Sequence, residues 1–444
     1  MKKAKILLIS PNLKGIADGV NRIQPSLGLM LIASVLERNG HTVKIYDAAL
    51  DGWNNRRMLD EKNKIVMIGQ SDDKIAKVVS DFSPDIAAVS VLFSNLLESA
   101  HNIAKIVKKV KKSTVTVLGG NHISSAVTDY KVSQIDSSSG LPDYIKDLEN
   151  DHFDCAMTGE GEFSFLEFVN NSINGDDISK TPGLVKRLKP KKYSINPPTR
   201  VHDLGALPRP ARHLVDMEAY FKIGAFHSAK SRSKRVLSVM CSRGCPEKCT
   251  FCSTPAMWGS NIRWRSTNHI MEEVKNDVKD YKIGELQFDD DTITVNKKNL
   301  YSLCEELEKL GLPWCTPNGT KVNYHFGKQE EMYKVMYESG CYQITLACES
   351  GVQRVLDDII HKRLPLETIY PSIENAKKAG MLVHTFWIVG YPGETYEEIQ
   401  KTIDFAMNSG ADSYSFAILS PLPGTPVYRK VIKENLWWAG RSLD

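Results

Sequence analysis

Apolar and polar residues alternate in short blocks through the first 170 positions. Lys5–Ser10 is a compact apolar run that reads as a first core strand. Pro25–Arg38 spaces Leu27, Leu29, Leu31, Ile32 and Leu36 along one helical face, and Asn39-Gly40 ends it. Thr42–Tyr46 is a β-branched strand, Asp73–Phe82 a helix, Asp85–Ser90 a strand and Asn95–Lys111 a long amphipathic helix. Thr114–Leu118 then reads as a strand stopped by Gly119-Gly120, and Cys155–Thr158 as a strand before a helix from Phe163. Such alternation predicts a doubly wound parallel sheet. Ligands of these sheets sit beyond the carboxyl ends of the strands. The loops to watch are Pro11–Gly19, Val91–Ser94, Gly119–His122 and Gly159–Glu162.

From about Asn174 to Lys234 the periodicity weakens and six prolines appear. We read this stretch as a linker, with Lys186–Lys192 a solvated basic surface. The expected division is therefore residues 1–173, a linker over 174–234, and a second domain over 235–444.

Composition changes this picture little. The 444 residues are 42% hydrophobic and 25% charged, and 57 basic against 53 acidic residues leave +4. That is globular composition, without the excess of positive charge that a nucleic-acid surface needs. No apolar run reaches the length of a membrane span, and Pro11-Asn12 interrupts the first one too early for a signal peptide. The expectation is a cytoplasmic protein with no nucleic-acid partner. The first strand lacks a GxGxxG or GxxxxGK[ST] loop, which disfavours NAD, FAD and P-loop nucleotides.

Cysteine placement is more informative. Nine cysteines occur, and Cys241, Cys245, Cys249 and Cys252 fall within twelve residues. Crowding of this kind in a cytosolic chain points to metal or redox chemistry. Cys245, Cys249 and Cys252 form CxxxCxxC. Three thiolates can hold three irons of a [4Fe–4S] cluster and leave the fourth open to a ligand. With Cys241 as a fourth ligand, the same group reads as a structural zinc site in a non-catalytic α/β binding protein. Cys241 otherwise reads as a small buried residue at a strand end.

Cys241-Ser242-Arg243-Gly244-Cys245-Pro246-Glu247-Lys248-Cys249-Thr250-Phe251-Cys252 resembles the cluster loop of the radical S-adenosylmethionine (SAM) superfamily, with Phe251 at its aromatic position. The resemblance implies a partial (β/α)6 barrel of the TIM type. Six strand–helix units agree with it: strands near Val236–Met240, Glu285–Phe288, Trp314–Pro317, Gln343–Cys348, Val383–Ile388 and Ser413–Ile418, with a helix after each. It also implies SAM-binding residues at the strand ends: Phe251; Asp289, Asp290 and Asp291; Glu349 and Ser350; and Gly390, Pro392, Gly393 and Glu394 in Gly390-Tyr391-Pro392-Gly393-Glu394. Arg243 and Tyr391 stand as supporting residues.

The N-terminal half resembles the Rossmann-like domain of the cobalamin (vitamin B12)-binding subgroup, the class B methyltransferase-like radical enzymes. The resemblance implies cobalamin contacts at Asn12, Ser26, Leu27, Gly28, Ser90, Leu92, Ser94, Gly119, Gly120, Asn121, Gly159, Glu160, Gly161 and Glu162. None of the eleven histidines lies in an Asp-x-His-x-x-Gly pattern, so cobalt is expected without a histidine ligand; His122 reads as an ordinary polar loop residue. The implied cofactors are a [4Fe–4S] cluster, SAM and cobalamin. The implied activity is transfer of a methyl group to an unactivated carbon of a small molecule, through a 5′-deoxyadenosyl radical and methylcobalamin. A low-potential donor of flavodoxin or ferredoxin type would reduce the cluster. The alternative within the subgroup is a cyclase or rearrangement enzyme without net methyl transfer. No acid–base catalytic residue is assigned.

Overall fold

The computed structural model describes residues 2–228 and 230–437. Residues 438–444, included in the expected second domain, and Ala229 in the expected linker lie outside the described residues. Among the described residues no helix is long and apolar enough to cross a membrane.

The N-terminal half is built on β1 (Lys5–Ser10), β2 (Leu13–Ile16), β3 (Thr42–Asp47), β4 (Arg56–Asp60), β5 (Ile65–Ile68), β6 (Ile86–Ser90), β7 (Val115–Gly119), β8 (Cys155–Met157), β9 (Leu184–Lys189) and β10 (Lys192–Ile195). Its main sheet runs β10-β9-β8-β7-β6-β1-β3, parallel from β3 to β8 and antiparallel at β9 and β10. The chain reverses direction across the sheet between β1 and β6, which makes their carboxyl ends the switch point where such sheets take ligands. Ile6, Leu8 and Ala4 face the 27–38 and 161–174 helices, while Leu7 and Ile9 face those at 72–82 and 97–110. Both faces are covered, which explains why β1 is apolar throughout.

Three elements depart from the expected pattern. Residues 184–195, read as linker, form a hairpin that extends the sheet, with its turn at Lys191 in a left-handed conformation. Residues 121–135, read only as loop at their start, form a four-turn helix. A separate three-stranded antiparallel sheet, β2-β5-β4, stands beside β1. Asn12 ties it down, since its side chain donates to Gln70 O and accepts from Gln70 N, at 2.9 and 3.0 Å.

The second half contains β11 (Val236–Val239), β12 (Ser242–Arg243), β13 (Arg263–Trp264), β14 (Glu285–Phe288), β15 (Trp314–Lys321), β16 (Cys341–Glu349), β17 (Leu382–Val389) and β18 (Ser413–Ile418). Six of them form one parallel sheet in the order β11-β14-β15-β16-β17-β18, with helices on its outer side. This is the expected partial (β/α)6 barrel. Glu285 fastens its amino end by accepting from the backbone N–H of Arg232 and Ser233 and from the Tyr342 hydroxyl. The carboxyl ends, where barrel sites form, converge on residues 241–253.

Candidate functional site

Residues 241–253 are braced from every side. The two-residue pair β12–β13 holds the base of the loop. Gly244 has φ +102, and a Cβ there would fall 2.4 Å from Asn261 O, so the tight approach requires glycine. Thr250 is bonded to Ile360 O through its N–H and to Ile359 O through its hydroxyl, and its carbonyl accepts from Val427 N. Glu247 accepts from Lys321 at 2.8 Å, the Tyr324 hydroxyl at 3.0 Å and Arg363 at 3.1 Å.

Cys245, Cys249 and Cys252 remain partly accessible on this loop, whereas Cys241 is fully buried in the barrel core. Among the described residues, no three His, Cys, Asp or Glu side chains are gathered around one point as ligands of a single ion. Cys241 thus packs as a core residue, and the zinc reading loses its fourth ligand. Burial pushes the Cys245 thiol up to about 12 and the Cys249 thiol up to about 11, with nearby negative groups adding to the effect. Bound iron would reverse that balance, because a metal ion favours the thiolate. Three accessible sulfurs on one braced loop fit an iron–sulfur cluster.

Several of the residues expected at SAM hold the protein itself. Asp290 is fully buried and accepts from the N–H groups of Cys241 and Ser242 at 3.0 and 2.6 Å, fixing the loop's entry. Burial raises its carboxyl to about 7. Ser350 is likewise buried, bonded to Thr402 and to Val352 N. Asp289 is bonded to the Ser238 hydroxyl and His227, and Asp291 to Thr254. Glu349, at φ +67, is paired with buried Lys362 at 2.9 Å. Glu394 accepts from Gly390 N and Tyr391 N and so shapes the loop around Pro392 and Gly393. Its other oxygen is buried without a partner, as is the Tyr391 hydroxyl, and the Phe251 ring lies 6.1 Å from that of Tyr391. Unpartnered buried polar atoms beside the cluster loop fit a polar ligand such as SAM.

The cobalamin expectations divide in the same way. Gly119 has nothing within 4 Å of the place where a Cβ would stand, and the same holds for Gly28. Gly120 has φ +105 and lies under the Val91 carbonyl. Asn121 donates to the Ser253 hydroxyl at 3.0 Å, while its own side-chain oxygen is buried and unpartnered. A cavity of about 1050 Å³ with polar walls, including Asn12, Gln70, His101 and Asn102, opens beside the switch point. The cavity is not lined by Gly28, Gly119, Gly120 or Asn121, so the open glycines and the orphaned amide oxygen are what fit a large, amide-rich ring.

Glu160 and Glu162 tie the sheet to the cluster loop. Both are buried and paired with Arg243 of the cluster loop, at 2.9 and 2.5 Å, and Glu160 also pairs with Arg263. Asn12 serves the β2–β5–β4 sheet, Leu27 packs with Leu31, Leu204 and Leu207, and Ser94 is bonded to His122. Gly159, at φ +76, lies under Pro198, and Gly161 faces Ile32. Leu92 is exposed, Ser90 ends β6, and Ser26 precedes the 27–38 helix without a side-chain cap bond. His122 is not a plain loop residue: with His101 it holds the buried carboxylate of Asp147.

Two family models match. The B12 binding domain covers residues 13–138 and the Radical SAM superfamily residues 239–406. The cytidylyl-2-hydroxyethylphosphonate methyltransferase of Streptomyces wedmorensis is 34% identical, over 97% of this chain and 82% of that protein. An uncharacterised methyltransferase of Pyrococcus horikoshii is 30% identical, over 98% and 85%. The radical SAM methyltransferase TsrM from Kitasatospora setae, solved with tryptophan and a SAM analogue, aligns with TM-score 0.70 and 16% identity over 96% of this chain and 75% of that one.

Proposed function

The chain belongs to the B12-binding radical SAM family as a methyltransferase, and from that premise we propose that it methylates an unactivated carbon of a small molecule held between the barrel and the doubly wound sheet. The observation that carries this reading is the direct bond between Asn121, beside the open Gly119-Gly120 loop, and Ser253, beside Cys252. One short contact joins the loop suited to cobalamin to the loop suited to the cluster. When bound, the cluster supplies the electron that opens SAM, and cobalamin carries the methyl group.

The chain's own residues position and enclose. Cys245, Cys249 and Cys252 would hold the iron. Asp290, Thr250 and Glu247 keep the loop in place. Lys362 sets a buried positive charge among Cys249 and Glu349, which favours the thiolate. Tyr391 and Glu394 offer unpartnered polar atoms to SAM, and Gly119, Gly120 and Asn121 offer a flat floor to the corrin. Preorganisation of three groups and exclusion of water are the protein's share of such chemistry. The reading includes a flavodoxin- or ferredoxin-type donor and a reducing cytoplasm, in keeping with nine cysteines none of which is in a disulfide.

The test is product mass with an anaerobically reconstituted enzyme. A product heavier by one CH2, formed with 5′-deoxyadenosine and lost in Cys245→Ala, supports methyl transfer. An isomer of the substrate formed with 5′-deoxyadenosine would replace it with rearrangement.

A further inference from the structure

The segment after β16 carries a buried lysine in unusual backbone surroundings. Val355–Ile360 is a π-helical turn, a form that recurs at functional sites. His361 and Arg363 follow it at φ +58 and +53, and Glu349, at the end of β16, has φ +67. All three are left-handed positions that side chains disfavour, so tertiary contacts must hold them. Between them stands Lys362, which is 5% exposed and has its ammonium 2.9 Å from the Glu349 carboxylate.

The same segment runs along the cluster loop. Ile360 O and Ile359 O accept from the N–H and the hydroxyl of Thr250, at 2.9 and 2.7 Å. Farther on, Arg363 donates to Pro246 O at 3.3 Å and to Glu247 at 3.1 Å. Lys362 lies between these attachments on its segment, and Cys249 lies between them on the loop. The lysine is therefore pinned alongside Cys249 by bonds on both sides. Glu247, the other acid of this loop, is already compensated by Lys321 and Arg363. That leaves Lys362 and Glu349 as two opposite charges beside one sulfur, both withdrawn from the solvent that would screen them. Burial pushes the Cys249 thiol up, Lys362 acts against that rise and Glu349 adds to it.

We propose that Lys362 and Glu349 set the reduction potential of the iron–sulfur cluster from opposite sides, the ammonium raising it and the carboxylate lowering it. This rests on the reading of Cys245, Cys249 and Cys252 as the cluster's ligands. One electron from a donor of flavodoxin or ferredoxin type adds one negative charge to the cluster. A buried ammonium beside a coordinating sulfur stabilises that added charge, and a buried carboxylate opposes it. Cluster potentials follow local charge and solvent exposure in this way. Neither side chain needs to touch the reacting atoms for this, so both are positioning residues of the electron-transfer step.

The test is a redox titration of the anaerobically reconstituted chain without SAM, following the electron paramagnetic resonance of the reduced cluster, with iron per chain measured in every sample. Lys362→Met should shift the midpoint to more negative potential and Glu349→Gln to more positive potential, while Lys362→Arg stays with the wild type. Lys248→Met removes an exposed charge next to Cys249 and should shift the midpoint least. Opposite signs at the two partners are the mark of charge, since a merely structural pair broken from either side would move the midpoint one way. Equal midpoints, or shifts of one sign, in variants that keep their iron overturn the proposal. If Lys362→Met loses its iron, Glu349→Gln decides alone: a negative shift or none overturns it. Loss of iron in both makes the pair structural and overturns it as well. A wild-type chain that takes up no cluster removes the cluster reading, and this proposal with it.

Discussion

Arg243→Met is the most informative single change, because it strands a buried charge at the junction of the two halves. Arg243 is 4% exposed and divides its guanidinium between Glu160 at 2.9 Å and Glu162 at 2.5 Å. Burial works against its charge, but the two carboxylates outweigh that and raise its pKa. In Arg243→Met, Glu160 keeps Arg263 and the Val201 N–H. Glu162 keeps nothing: it is 5% exposed, and its second oxygen is already without a partner. Breaking a buried pair from one side costs about 3–5 kcal/mol. That is a large part of the roughly 5–15 kcal/mol that holds a typical domain folded. The side chain also lies over Trp258 at 4.7 Å, a contact that methionine partly restores. The assay is guanidinium denaturation followed by tryptophan fluorescence, compared at equal slope. The double variant Arg243→Met/Glu162→Leu removes the stranded carboxylate, and should recover all but about 1 kcal/mol of the loss. A single variant costing under about 1 kcal/mol, or a double variant no better than the single, would refute the reasoning.

Gly119→Ala should leave stability within about 0.5 kcal/mol, since its Cβ meets nothing, yet lower the cobalamin retained per chain in the visible spectrum. Gly120→Ala should instead cost about 1–3 kcal/mol in thermal unfolding, because its Cβ would strike the Val91 carbonyl at 2.4 Å from a left-handed backbone. Cys241→Ser should keep its full iron content while losing about 1–3 kcal/mol for a hydroxyl buried in the core; loss of iron would return Cys241 to the ligand set. Burial acts to raise the Asp147 carboxyl, but hydrogen bonds from His101 and His122 outweigh it and hold its pKa below the ordinary 3.8. Its stabilising share is therefore present above that value and lost as pH falls below it, so Asp147→Asn should be less stable near neutrality and show a flatter acid-unfolding profile.

How much of this was legible in the chain depends on whether the signal is local. CxxxCxxC is a spacing within one loop, and the barrel strands are apolar runs whose carboxyl ends carry glycines and acids, so both were readable. The 121–135 helix was not, because Ile123, Val127 and Tyr130 give it only a narrow apolar face, and the polar His122, Ser124, Ser125 and Asp129 are buried beside them. Strand β4, Arg56-Arg57-Met58-Leu59-Asp60, is largely exposed and reads as surface, and so does the lysine-rich hairpin of β9 and β10. Asp290 and Ser350 stand where strand-end ligands are expected, but their partners lie 48 and 52 residues away, a distance over which sequence shows no pairing. The pairing of Glu160 and Glu162 with Arg243 was hidden for the same reason, since Arg243 is more than eighty residues downstream.

That unread helix is what makes the two halves one machine. Asn121, in its first turn, is bonded to Ser253 beside the cluster ligand Cys252. Asp129, two turns on, accepts from Gly424 N and Arg429 in the segment after β18. Ser125, between them, lies so close to Gly424 that a Cβ there would stand 2.9 Å from the Ser125 side chain. The helix begins directly after Gly119-Gly120, the floor offered to the corrin. A shift of that floor therefore moves Asn121, and through Ser253 it moves the loop that holds the iron. Neutral hydrogen bonds of this kind contribute only about 0.5–1.5 kcal/mol each. The buried Arg243 pairs are far more sensitive to geometry, because misalignment exposes charges to a medium that cannot solvate them. The weak bonds thus set the register between the two cofactor loops, and the charged group penalises departure from it.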